Sequence, residues 1–174
     1  MPERRLVQTR NLDRYGNDAL PWSRVHDQLA TITPDPTAFF YLNTTRPDGR
    51  PHSVGIGAVW HDGDMYFTSN LATRKSRNLA KNPYATIATR LPGMDLVLEG
   101  KAELVSDPAT LEALAAVYRK SGWPADVAGD ALPAPYSAPS AGPPPWHLYR
   151  MPIDSAHGVA TAEPYGATRW NFAS

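Results

Sequence analysis

The chain has 174 residues, 42% of them hydrophobic, with 17 Lys+Arg against 17 Asp+Glu and no cysteine. This length and apolar content suit one compact domain with a sizeable core, and a balanced charge argues against general nucleic-acid binding, though not against a single anion site. The lack of cysteine excludes disulfides and thiolate-based metal centres, and no apolar run reaches the ~18 residues of a membrane span.

The first 17 residues, MPERRLVQTRNLDRYGN, are polar and read as an arm ahead of a single domain over 18–174. They contain no apolar core of the signal-peptide kind, so a soluble, cytoplasmic protein is expected. NDALPWSRVHDQLATI predicts a helix, with Asp18 to cap it, Pro21 early in it, and Trp22, Val25, Leu29 and Ile32 at helical spacing. Pro34 and Pro36 are expected to end it. AFFYLNTT (Ala38–Thr45), PHSVGIGAVW (Pro51–Trp60) and MYFTS then predict three strands, separated by the turn RPDGR and the tight hairpin HDGD. Such a meander pairs antiparallel.

TSNLATRKSRNLAKNP (Thr68–Pro83) predicts a short helix, YATIATRL (Tyr84–Leu91) a fourth strand and LVLEGKAELVS a fifth. In the fifth, Leu96, Leu98, Gly100, Ala102 and Leu104 alternate with polar residues, the pattern of one buried and one wet face. DPATLEALAAVYRK is the best helix signal, capped by Asp107 and opened by Pro108. Residues 121–146 are rich in Ala, Pro and Ser, which inside a compact domain marks a lid, a binding loop or a mobile insertion. WHLYRMPIDSAHGVAT predicts a last strand, and ATRWNF a terminal aromatic-basic segment. The expected fold is mostly β (α+β), a small barrel of about six antiparallel strands with peripheral helices.

Two features suggest a site. Ser53, Gly55 and Gly57 fall on one face of the second strand, leaving a bare patch on which a flat ring system could lie; the alternative is that the glycines mark a bend or bulge. In the basic stretch, a helix capped by Thr73 puts Arg74, Lys75 and Ser76 in its first turn, where free N–H groups favour an anion and cations alone oppose the dipole. An exposed basic helix is the competing reading. His52 and His61 lack metal-ligand spacing, so no metal is expected, and Ser53 beside His52 points to the opposite face and makes no catalytic pair. No GxSxG, GxGxxG or Walker motif occurs.

An ordered set of motifs carries a resemblance: LPWSRVHDQL, YLNTTRPDGRPHSVGIGAVWHDGDMYFTS, TRKSRNLAKNP, LVLEGKAELVSD and GATRWNF, from about Pro21 to Phe172. Together they resemble the pyridoxamine 5′-phosphate oxidase-like flavin and deazaflavin oxidoreductases. The resemblance implies an FMN-binding-type split β-barrel, a homodimer with cofactor sites at the subunit interface, and FMN or F420 held without a covalent bond. Carried over residue by residue, it implies that Lys75 contacts the cofactor phosphate with Arg74 and Ser76 beside it. It implies that His52, Ser53 and Val54 line the ring, and that Thr68 and Ser69 lie near the ribityl chain and phosphate. Arg169 and Trp170, in the TRW of Thr168–Trp170, are implied near the site, from the second subunit. The chain is shorter than true pyridoxamine phosphate oxidases and lacks their C-terminal substrate segment, which speaks against vitamin B6 oxidation.

The resulting expectation is an oxidoreductase moving a hydride between a flavin-type cofactor and a small organic substrate. F420 is favoured slightly over FMN, because RKSRNL resembles F420-binding members and extra basic residues suit an acidic tail. No residue stands out as catalytic. The alternative is a split barrel that binds flavin, haem or another tetrapyrrole without turnover. A nucleic-acid reading of the basic helix is disfavoured by the balanced charge.

Overall fold

The structure, a computed structural model, describes residues 5–33 and 37–173; Pro34 and Pro36, expected to end the first helix, lie outside them. The described elements are β1 (Leu6–Asn11), α1 (Ser23–Ile32), β2 (Phe40–Thr45), β3 (Pro51–Ile56), β4 (Ala58–His61), β5 (Asp64–Ser69), α2 (Arg74–Leu79), β6 (Tyr84–Leu91), β7 (Met94–Lys101), β8 (Glu103–Leu104), α3 (Pro108–Lys120), β9 (Ala131–Leu132), β10 (Trp146–Ala160) and β11 (Ala167–Phe172). All pairings are antiparallel, in the order β1-β11-β10-β7-β6-β2-β3, with β4, β5, β8 and β9 attached through β5 and β10. The sheet does not close. No helix among the described residues is long and apolar enough to cross a membrane.

Three places in the chain divide the sheet. The segment expected as the fifth strand breaks at Ala102: β7 pairs with β6 and with β10 from Ile153 onward, whereas β8 pairs with β10 at Tyr149 and Arg150, and Leu104 is exposed and not on the buried face. The segment expected as one strand over Pro51–Trp60 breaks at Gly57: β3 pairs with β2, whereas β4 pairs with β5. Likewise β10 pairs with β5 up to Pro152 and with β7 from Ile153 onward, its register shifting between Ile153 and Ser155. Pro152 has no N–H to give to a ladder, which suits it to the switch point. Opposite it, Gly100 lies so close that a side-chain carbon there would strike the Pro152 carbonyl. The glycine in this strand thus serves close backbone approach.

The main core gathers Phe40, Leu42, Ile87, Leu96, Leu98, Met65, Phe67 and Trp170 between the sheet halves, closed by Val25 and Leu29 of α1. A second core lies under α3, where Leu111, Leu114, Ala115 and Tyr118 meet Val59, Tyr66, Leu132 and Leu148. Asp107 caps α3 by accepting from the Thr110 N–H at 2.8 Å, with Pro108 in the first turn, as the sequence predicts. Helix α1 starts five residues later than its expected cap: Trp22 holds the N-cap position and offers no side-chain cap. Instead Trp22 packs edge-on against Phe172 (4.7 Å between centroids) and Trp170 (5.5 Å), so core burial sets where the helix begins. The expected N-terminal arm contains β1, which pairs with β11 and covers its edge, and ATRWNF is the β11 strand itself.

The Pro-rich segment is laid down on the domain. Trp146, Trp123 and Tyr118 form a run of ring contacts at 5.1 and 4.7 Å, and Tyr136 meets Trp146 at 5.8 Å. Nearer its end the segment is strapped to the loop between β5 and α2. The Asn70 N–H donates to the Ala141 carbonyl (2.8 Å), its side-chain amide donates to the Pro143 carbonyl (2.9 Å), and the Trp146 indole donates to Gly142 (3.0 Å).

Two outcomes test this packing. Gly158→Ala drives a methyl into the Trp170 ring, 2.8 Å from its nearest carbon; we expect a loss of about 2 kcal/mol and a Tm lower by roughly 5 °C, and an unchanged Tm contradicts the contact. Asn70→Ala should speed limited proteolysis within 133–145, whereas an unaltered cleavage pattern means the strap is held by its aromatic contacts alone.

Candidate functional site

Helix α2 begins where β5 ends, and its sequence makes it amphipathic in an unusual sense. Lys75, Ser76, Asn78 and Leu79 are buried while Arg74 and Arg77 are exposed. Thr73 caps it, its hydroxyl accepting from the Ser76 N–H at 3.4 Å. The hydroxyls of Ser69, Thr73 and Ser76 form a triangle with edges of 2.8, 3.1 and 3.0 Å, and the Tyr149 hydroxyl bonds Ser76. Asn78 donates to the Thr44 hydroxyl at 2.9 Å and ties the helix to β2.

The Lys75 side chain is only 2% exposed. Its ammonium donates to the Ser140 carbonyl of the strap, and burial pulls its pKa down to about 8. Of its three donors that contact uses one. Nearby, burial first and then the charges of Arg46, Arg74 and Lys75 hold the His52 imidazole below its ordinary range. His52 Nδ1 and Arg46 Nε are both buried without a hydrogen-bond partner. Among the described residues no ion pair engages Arg46, Arg74 or Lys75; Asp48, the carboxylate nearest Arg46 in sequence, is bound by Arg50 at 2.7 and 3.0 Å.

A cluster of cations with orphaned donors and no ion-paired acid is an environment that attracts an anion. As the sequence predicts, Thr73 caps the helix and puts Arg74, Lys75 and Ser76 in its first turn, and the side chains add charge to that corner. Helix α2 has six residues and its cap already takes the Ser76 N–H. Residues present therefore fit a phosphate: Lys75 and Arg74 as charged donors, with the hydroxyl triangle beside them.

The structure separates the other expected site residues. In β3 the alternation of faces puts His52, opposite Thr44, and Val54, opposite Leu42, toward the interior, and Ser53, opposite Asn43, on the outer face. Ser53, Gly55 and Gly57 are exposed, and the two glycines have open space beside them. The face at Gly55 is bare, and the sheet breaks at Gly57. Ser69 is buried in the hydroxyl triangle, while Thr68 is half-buried, opposite Leu148 of β10. Trp170 is fully buried, its indole donating to the Leu20 carbonyl at 3.1 Å, and it anchors β11 to the core.

Arg169 lies on the outer face with Ser155, Glu99 and Asn171. It donates to Asn171 Oδ1 (3.1 Å) and to the Ser155 hydroxyl (3.3 Å), with Glu99 at 3.7 Å. These residues line a groove of about 690 Å³ that also reaches Thr44, Thr45 and Pro51. Arg169 is on β11 and Lys75 on α2, and the contacts of Arg169 are with Asn171, Ser155 and Glu99.

Arg46 is the site residue that sequence reasoning passed over, because RPDGR read as a turn only. A signal was present: Arg46 is two positions beyond Thr44, and Thr44 stands opposite His52. Period-two alternation carries all three to one face.

The comparisons with known proteins agree with this fold. The profile of the pyridoxamine 5'-phosphate oxidase family matches residues 25–148. A pyridoxamine 5'-phosphate oxidase-related, FMN-binding protein from Nostoc punctiforme superposes with a TM-score of 0.55 at 19% identity, covering 87% of this chain and 89% of that one. An F420 reductase gives 0.51 at 22% identity, covering 75% and 94%. A heme-binding protein from Mycobacterium smegmatis gives 0.55 at 18%, covering 80% and 56%. A search of the curated proteins finds no match. With a matched segment spanning most of its length and a split antiparallel barrel of the same kind, this chain belongs to the pyridoxamine 5'-phosphate oxidase family.

Proposed function

We propose that the protein holds a flavin-type cofactor by its phosphate and serves as an oxidoreductase, passing a hydride between that cofactor and a small organic substrate. The observation that carries this reading is the buried Lys75 ammonium, which has no ion-pair partner among the described residues, with exposed Arg74 and half-buried Arg46 and His52 near it. Lys75 and Arg74 neutralise the phosphate, and Ser69 and Ser76 offer hydroxyls beside it, while Thr68, on the other face of β5, does not. β3 is an edge strand, so a cofactor held by its phosphate on the His52 side can pass round that edge and lay a flat ring on the bare outer face at Ser53 and Gly55. When bound, the cofactor supplies two-electron chemistry; the chain supplies binding, orientation and exclusion of water. F420 is favoured over FMN. More cations converge here than one phosphate requires, and F420 carries further acidic groups beyond its phosphate.

The same proposal includes a homodimer. The outer face of the sheet carries Tyr41, Ala88, Val97, His157 and Arg169 in one row of register, and none of the three helices covers it. Phe39, Tyr41, Tyr84 and Val159 are each more than half exposed there. A second copy laid on this face would bury them and bring its Arg169 toward the first copy's groove.

A second reading, binding without turnover, is favoured by one fact: Ser53, Gly55 and Gly57, the floor of the ring, carry no acid or base. Reduced cofactor that is reoxidised by no acceptor tried, under conditions where binding is saturated, would establish that reading.

Three measurements test the proposal. Lys75→Ala should weaken binding of F420 and FMN by about 10- to 100-fold, the worth of a charge-assisted hydrogen bond, in a tryptophan-quenching titration; equal affinity removes Lys75 from the site. A bound anion raises the pKa of Lys75 from about 8, so binding takes up a proton. Affinity should fall as pH rises above about 8, two units below where an ordinary lysine loses charge, and a flat profile from pH 7 to about 10 contradicts this. Sedimentation should give twice the 19.0 kDa chain mass, and Val97→Arg should restore the monomer; a monomeric wild type sinks the dimer.

A further inference from the structure

We infer that Arg46 is a third fixed cation of the ligand site, holding the ligand's anionic group from the β2–β3 hairpin side while Lys75 and Arg74 hold it from α2. This rests on the phosphate reading above and adds a residue to it.

The hairpin fixes where Arg46 starts. The Arg46 N–H donates to the Arg50 carbonyl at 2.9 Å, and the Gly49 N–H donates to the Arg46 carbonyl at 2.9 Å. The turn is closed on both sides, and Gly49 takes a positive φ of 82° that suits it. Thr45 and Pro51 form the last rung of the ladder, so Arg46 leaves the sheet on the face shared by Thr44 and His52. Its guanidinium is half-buried, and its Nε has lost water without gaining an acceptor. The one carboxylate in the turn, Asp48, acts on Arg46 through its charge but accepts its hydrogen bonds from Arg50, so the Arg46 Nε keeps no acceptor.

The surroundings point the same way. Arg46 acts on His52 more strongly than Arg74 or Lys75 does, which places its charge on the His52 side of the cluster. Three permanent or near-permanent cations around a half-buried imidazole repel one another, and a structure keeps such an arrangement at a cost unless an anion joins it. A planar guanidinium offers two parallel donors to phosphate or carboxylate oxygens, which a lysine cannot. The ligand chemistry is therefore a phosphate, or a phosphate continued by carboxylates. FMN has the first and F420 the second.

The test compares each cofactor with its phosphate-free parent, riboflavin for FMN and the corresponding ribityl deazaflavin for F420. Wild type, R46Q and R46K are titrated with all four, with Tm measured for each variant. We expect R46Q to bind the phosphate-bearing cofactors about 10-fold or more weaker and the parents as wild type does. R46K should fall between, since it keeps the charge and loses the fork. A loss with FMN assigns Arg46 to the phosphate; a loss confined to F420 assigns it to the acids beyond. Unchanged cofactor affinity in R46Q overturns the inference, and so does an equal loss for cofactor and parent, which would mean a structural role. Should R46Q fail to fold, R46K alone decides by the same ratio. A wild type that binds the parents as tightly as the cofactors overturns the phosphate reading itself, a distinct failure from that of Arg46.

Discussion

The placement on which the site depends is the Lys75 ammonium, 2% exposed and without a carboxylate. A buried charge is tolerated where neighbours supply acceptors. Here one acceptor is the Ser140 carbonyl, brought in by the strap that Asn70 holds. The rest of the architecture serves this arrangement. Helix α2 is tied to β2 through Asn78 and Thr44, and its capping hydroxyls also contact Tyr149 of the long strand β10. The Pro-rich segment thus has a definite task within the fold, closing the Lys75 corner of the barrel.

Much of the fold was legible from period and punctuation. The meander over 38–69, the strands β6 and β7 and helix α3 follow from alternation, Asp-Gly turns and the Asp107–Pro108 start. What local pattern could not show was where one strand serves two sheets. PHSVGIGAVW is continuous in propensity, and only pairing with β2 on one side and β5 on the other divides it at Gly57. In the same way, polar Leu6–Asn11 has the look of an arm until β11 offers it an edge. Short strands such as β8 and β9 exist because β10 is long enough to pair with them.

The site was legible in part, for a related reason. Lys75, Ser76 and Ser69 come together because they are close in sequence, around one capped turn. Arg46 belongs with them only through hairpin register. Trp170 shares its motif with Arg169, yet alternation sends the two apart: the indole into the core, the guanidinium to the outer face. Motif proximity therefore conveys chemistry only when the face of the strand is known. The two halves of the molecule divide the work accordingly. The α2 end of the barrel gathers Lys75, Arg74 and Arg46 around His52, and the uncovered outer face holds a polar groove with Glu99, Ser155 and Arg169.

The most direct measurement is a crystal structure of the protein grown with saturating F420 or FMN. The account predicts phosphate oxygens within about 3 Å of Lys75 Nζ, in contact with the hydroxyls of α2, and a shifted Ser140 carbonyl. A cofactor bound elsewhere, with Lys75 still donating to Ser140, would contradict it.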